Sequence, residues 1–250
     1  MIAATNLSVG YTGEQLVDGL TLSIPERGVL ALIGVSGSGK STLLRTMAGL
    51  HAPSAGKLEL LGVAPQALFG SGRVQFLHQA PTLWRHLTVW DHVRLGLELV
   101  GEPVRTARIK SILEQVGLSE VRNLFPHEMS VGMRARLALA RAFAAPPEIL
   151  LMDEPFASLD PLRREQLNRY VQGLRDDAGC TVVMVTHDIV EAMRFASHFL
   201  IFPHKSNRLV AKTNSLRRPI SDPNLLSPAA IELRDEISTI AQPRLMPAPE

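Results

Sequence analysis

The sequence predicts an α/β fold in which buried strands alternate with helices. Two apolar runs, each leading into a polar segment, carry that expectation. Val29-Leu30-Ala31-Leu32-Ile33 reads as a buried strand that enters a Gly/Ser-rich loop and then a helical stretch from Lys40 to Ala48. Far downstream, Glu148-Ile149-Leu150-Leu151-Met152-Asp153-Glu154 is a second apolar run. It ends in two carboxylates, as a parallel strand does when it delivers acids to the carboxyl edge of a sheet.

The loop between the first strand and its helix reads Gly34-Val35-Ser36-Gly37-Ser38-Gly39-Lys40-Ser41. Gly34, Gly39, Lys40 and Ser41 stand where a phosphate-cradling P-loop needs them. Glycines let the backbone turn tightly and bring N–H groups against phosphate oxygens. Lys40 places a compact positive charge on the β- and γ-phosphates, and the Ser41 hydroxyl can ligate Mg²⁺. The helix after the loop turns its N-terminus toward the anion. A plain turn joining strand to helix would need neither the lysine nor this context.

In a P-loop enzyme the first downstream acid, Asp153, holds Mg²⁺, mostly through water. Glu154 is then placed to polarise the attacking water as general base. Gln79 comes after Arg73-Val74-Gln75-Phe76-Leu77-His78, where a strand ends. Helical spacing then recurs: Val89, Val93, Leu97 and Val100, then Ile109, Ile112, Leu113 and Val116, with Gly117 as the expected C-cap. Residues 80–145 therefore read as a mostly helical insertion into an α/β core. It closes on Met129-Ser130-Val131-Gly132-Met133-Arg134, where Ser130 is the expected N-cap of a helix evident from Arg136 to Phe143. Beyond Glu154 come Ser158-Leu159-Asp160, a helix with Leu167, Tyr170, Val171 and Leu174 on one face, and a strand from Thr181 to Val185 that runs into Thr186-His187-Asp188.

Composition sets the outer limits. With 250 residues, 46% apolar and 20% charged, the chain can bury one sizeable core or two packed subdomains. A net charge of +2 from 26 basic and 24 acidic residues gives no case for nucleic acid as a partner. Cys180 is the only cysteine, so no intrachain disulfide forms and a reducing compartment fits. The start lacks a secretory signal pattern, and no run approaches the ~18 apolar residues of a membrane span. The chain reads as soluble.

Taken in order, these motifs resemble the ATPase subunit of an ABC transporter. Tyr11 stands where that family keeps an aromatic stacked on adenine. Walker A comes next at Gly34–Ser41, then the Q-loop at Gln79 and the signature at Ser130–Met133. Walker B at Leu150–Glu154, the D-loop at Ser158-Leu159-Asp160 and the switch at His187 complete the series, over about residues 1–205. The finer resemblance is to importers of nitrate, sulfonates and taurine. It rests on Met133 in the signature, the run Leu151-Met152-Asp153-Glu154-Pro155-Phe156, and a tail with Arg217-Arg218-Pro219 and a helix opening at Ser227-Pro228 and bearing Leu233, Ile237 and Ile240. Lipid-transport ATPases also carry a methionine in the signature, and a low-turnover regulatory ATP-binding protein is a further alternative.

The resemblance implies a P-loop NTPase (RecA-like) core at 1–79 and 146–205, an ABC-specific helical subdomain at 80–145, and a C-terminal extension at 206–250 packing on the core. It implies ATP and Mg²⁺ as cofactors. Tyr11, Gly34, Ser36, Gly37, Ser38, Gly39, Lys40, Ser41 and Thr42 would bind nucleotide, as would Ser130 and Gly132 from a second copy in a head-to-tail dimer. Ser41, Gln79 and Asp153 would serve the metal; Glu154, His187, Gln79 and Lys40 would serve catalysis. Transmembrane permease subunits and, indirectly, a solute-binding protein are the implied partners, at the inner face of the cell membrane. One departure stands out: Val131 occupies a signature position where the family has glycine, at a helix start expected to meet a partner's γ-phosphate.

Overall fold

The computed structural model describes residues 1–11, 13–80, 82–155, 159, 161–203, 206–214 and 227–241. In chain order the regular elements are β1 (Ile2–Tyr11), β2 (Glu14–Ile24), β3 (Val29–Ile33), α1 (Lys40–Met47), β4 (Ala55–Leu60), β5 (Val74–Leu77), α2 (Val89–Glu98), α3 (Thr106–Gln115) and α4 (Val131–Ala142). After them come β6 (Ile149–Asp153), α5 (Pro161–Ala178), β7 (Thr181–Thr186), α6 (Ile189–Phe195), β8 (His198–Ile201), β9 (Val210–Thr213) and α7 (Pro228–Ala241). The chain divides into two compact units, one of Met1–Pro65 with Val183–Glu250 and one of Gln66–Val182. Among the described residues no helix is long and apolar enough to cross a membrane.

In the first unit, β1 lies between β2 and β4 in an antiparallel sheet, with Ile2 opposite both Ile24 and Leu60 and Tyr11 opposite Glu14. The other strands run in the order β7-β3-β8-β9. β3 pairs parallel with β8 from Leu30↔His198 to Ile33↔Ile201, and β9 closes the edge antiparallel to β8. All five residues of β3 are buried, as its unbroken apolar run requires of a strand covered on both faces. Leu43, Leu44 and Met47 of α1 and the rings of Phe199 and Phe202 are buried with them.

Helix α1 stops where its sequence tells it to. Gly49 adopts φ 76°, its N–H meets Thr46 O at 3.0 Å, and Leu50 N–H reaches back to Arg45 O at 2.9 Å. This is a Schellman closure, which needs a residue at ease in the left-handed region.

In the second unit, β5 and β6 are parallel neighbours in register from Val74↔Ile149 to Leu77↔Met152. Thr88 caps α2 by accepting from Asp91 N–H, and Ser130 caps α4 by accepting from Met133 N–H at 3.2 Å. Gly117 closes α3 as expected, with φ 64° and a Leu118 N–H to Leu113 O bond of 2.8 Å.

One helix boundary differs from the sequence reading: α2 ends at Glu98, so Val100 lies past the face it was expected to join. α4 begins at Val131, directly after the cap expected at Ser130, although its periodicity shows only toward Arg136 because its buried residues begin at Ala135. A helical turn without a buried residue shows no periodicity. Ser158, Asp160 and Arg217-Arg218-Pro219 lie outside the described residues, as does the Leu174 side chain.

Candidate functional site

The first unit carries the phosphate loop. Lys40 is only 5% exposed, yet its charge is satisfied. Its Nζ donates to Gly34 O at 2.9 Å, to Val35 O at 2.6 Å and to Ser38 Oγ at 3.4 Å. The ammonium is folded back across the loop it terminates, which holds the loop closed around it. Gly34 has no room for a side chain: an added Cβ would lie 2.7 Å from Phe202 Cβ and 2.9 Å from Phe202 O. Gly39 N-caps α1 at φ 99°, so the helix begins without a side-chain cap and Ser41 and Thr42 fall in its first turn. Ser36 and Gly37 stand exposed at the tip. The positive end of the helix dipole and the Lys40 charge therefore act at one place, which suits a polyphosphate.

Tyr11 ends β1 and is 54% exposed. Its ring lies 4.9 Å from that of His51, tilted by 49°. His187 is exposed just after β7, on a turn held from both sides. Thr186 Oγ1 donates to the Glu191 carboxylate and accepts from Asp188 N–H at 3.0 Å, while Asp188 caps α6 by accepting from Glu191 N–H at 3.0 Å. A groove of about 370 Å³ runs from His187–Val190 to Arg234, Asp235 and Ser238 of α7.

The second unit carries the acids. Leu77 and Met152 are partners at the ends of β5 and β6, so the chain leaves both strands side by side. Gln79 comes just after one of them and Asp153-Glu154 ends the other, which brings these three polar residues to one strand edge. Glu154 sits at φ 43°, a left-handed conformation that non-glycine residues adopt at a cost.

The signature residues lie at the start of α4. Ser130 and Val131 are exposed, Val131 by 45%, and the Arg134 guanidinium pins the preceding turn by donating to Met129 O. The far end of α4 anchors the chain just beyond Gln79. Arg141 Nη1 donates to Thr82 O at 2.7 Å, and its guanidinium lies 5.0 Å above the Trp84 ring.

Sequence reasoning passed over His51 and Phe202 and gave no contact to His92, Arg141 or Thr186, because no local pattern marks these contacts. Cys180 takes no part: it is buried, and burial pushes its thiol up to about 11.

The sequence profile of the ABC transporter family matches residues 17–157, more than half of the chain. The chain belongs to the ABC transporter family. Among relatives in that family, the sulfate/thiosulfate import ATP-binding protein CysA of Synechococcus elongatus is 39% identical over 207 residues, covering 81% of this chain and 60% of that protein. CysA of Mycobacterium tuberculosis is 41% identical over 211 residues, covering 82% and 59%. The chain thus spans about 60% of the length of these curated relatives. Among solved structures, one described as the ATP binding subunit of an ABC transporter superposes with a TM-score of 0.77 at 26% identity, over 95% of this chain and 99% of that one. The fold is thus the α/β P-loop NTPase fold of ABC ATPase subunits.

Proposed function

We propose that this chain is the ATP-hydrolysing subunit of an ABC importer that works on membrane permease partners. The Lys40 arrangement carries the reading: a buried ammonium closing a glycine loop at a helix N-terminus is built for a nucleotide's phosphates. The family match supports ATP as the ligand, and the names of the CysA relatives support import.

Residue roles come from the chemistry of each side chain. Lys40 and the amides of Gly34, Ser36, Gly37, Ser38, Gly39, Ser41 and Thr42 hold phosphates, and Tyr11 stacks on the adenine. Glu154 accepts a proton from the attacking water, and His187 reads the γ-phosphate. Mg²⁺ fits the donor set. Ser41, Gln79 and Asp153 would each offer a hard oxygen. An ion that keeps its waters and binds through one carboxylate and the phosphates asks for no more. When bound, it would neutralise the phosphate charge. Ser130 and Gly132 would meet the ATP of a second copy, so that closure on ATP and release after hydrolysis drive the permease from the inner face of the membrane.

The core at 1–79 and 146–205 would bind nucleotide, the helical subdomain at 80–145 would reach the partners, and 206–250 would pack on the core. For the solute, the reading is a small solute of the nitrate, sulfonate and taurine class. The sulfate/thiosulfate importers among the relatives support a small solute with an oxyanion group. The test is ATPase activity of the purified chain with and without its permease. Hydrolysis that Lys40→Ala abolishes and permease stimulates is expected; absence of nucleotide binding would end the proposal.

A further inference from the structure

We propose that His51 is a positioning residue for base binding, holding the Tyr11 ring as a fixed platform for the purine of the nucleotide. The inference rests on the reading of Tyr11 as the base-stacking residue given above.

An exposed tyrosine at a strand end has rotamers to lose when a base stacks on it, and ordering it at that moment subtracts from affinity. His51 removes that cost in advance. Its ring centroid lies 4.9 Å from that of Tyr11 at a 49° tilt, inside the range of favourable aromatic pairs. His51 is itself anchored. Its Nε2 donates to Gly10 O at 2.9 Å, tying it to the residue before Tyr11. Gly10 in turn is held in the hairpin by its pairing with Gln15 of β2, so closely that an added Cβ there would lie 2.2 Å from Glu14 O.

The same geometry explains how His51 arrives. α1 begins at Lys40, and its Schellman closure at Gly49 and Leu50 turns the chain so that His51 comes back onto the end of β1. One helix therefore sets the phosphate cradle at its start and the aromatic platform just past its end. With His51 against its ring, Tyr11 remains 54% exposed, which leaves it surface for a base.

The test is competition of ATP and of inorganic tripolyphosphate against a fluorescent ATP analogue on the full chain. His51→Ala should weaken ATP by about 3- to 10-fold, the worth of one aromatic pair. Tripolyphosphate, which has no base, should compete as before, and KM for ATP should rise with kcat unchanged. His51→Phe, which restores a ring, should recover most of the loss, whereas His51→Gln, which keeps only a hydrogen bond to Gly10 O, should behave like alanine. In a Tyr11→Ala background His51→Ala should add nothing. Parent-like ATP affinity in folded His51→Ala or His51→Gln overturns the proposal, as does equal weakening of ATP and tripolyphosphate. If Tyr11→Ala alone binds ATP as the parent does, the base-stacking reading itself fails.

Discussion

His92 Nε2 accepts a hydrogen bond from the Trp84 backbone N–H at 3.0 Å, and this fixes the charge of the ring. The other nitrogen, Nδ1, faces Thr88 O at 2.8 Å, and a carbonyl can only accept, so Nδ1 carries the proton. Protonation at Nε2 would break the Trp84 bond. Full burial of the side chain opposes the charge as well, and with Arg141 and His86 nearby it holds the His92 pKa below its ordinary value, against the Thr88 and Asp91 contributions that favour charge.

Stability should therefore depend on pH. Above about pH 6.5 the ring is neutral in folded and unfolded chains alike, and His92 contributes no slope. As pH falls through that value the unfolded chain takes up the proton and the folded one does not, so stability is lost. Melting temperature should drop between pH 7.5 and 5.5, and His92→Gln, which can keep both hydrogen bonds without titrating, should show a smaller drop. Parallel curves for the two proteins would remove His92 as the cause.

Glu154→Gln should bind ATP yet hydrolyse it at least ~100-fold more slowly, the low end for a lost general base. ATP-dependent dimerisation should become easier to see by light scattering. Near-normal turnover would take Glu154 out of the role.

Gly34→Ala should destabilise the fold by about 1–3 kcal/mol and weaken nucleotide binding, because its methyl would press on Phe202. Adding Phe202→Ala should not restore binding, since alanine keeps both the Cβ and the carbonyl that cause the clash. Binding recovered in the double variant would place the conflict elsewhere, in the ring.

Val131→Gly should raise ATPase activity at limiting protein concentration while leaving the monomer's affinity for ATP unchanged. The valine is 45% exposed on the first turn of α4, so removing it opens no cavity. Helix propensity puts the cost to stability at no more than about 1 kcal/mol. Its branched carbons stand where a partner's triphosphate is expected, and a charge-assisted bond of about 2.7–2.9 Å tolerates little stand-off. Unchanged or lower turnover of the folded variant against protein concentration would defeat the idea.

What the sequence discloses tracks how local each signal is. β3, β6 and β7 are legible because strands buried on both faces are continuous apolar runs. β1 is not, since register shifts between Ala4 and Leu7 and between Leu7 and Val9 break the alternation that would reveal it. The phosphate loop is legible for the same reason, being one unbroken stretch whose residue types each answer a chemical need. Phe202, which forces glycine at position 34, and His51, which meets Tyr11, are invisible until the fold brings them there.

If Glu154 is the base proposed above, its left-handed backbone sets folding and chemistry against each other at one position. For a side chain with a Cβ this conformation costs about 1–2 kcal/mol, and glycine escapes it at about 0.5–1 kcal/mol of extra chain entropy. Glu154→Gly should therefore be more stable to denaturant than Glu154→Ala, reversing the usual order of these two residues. On that role, keeping a residue with a Cβ at the end of this strand concedes stability to reactivity.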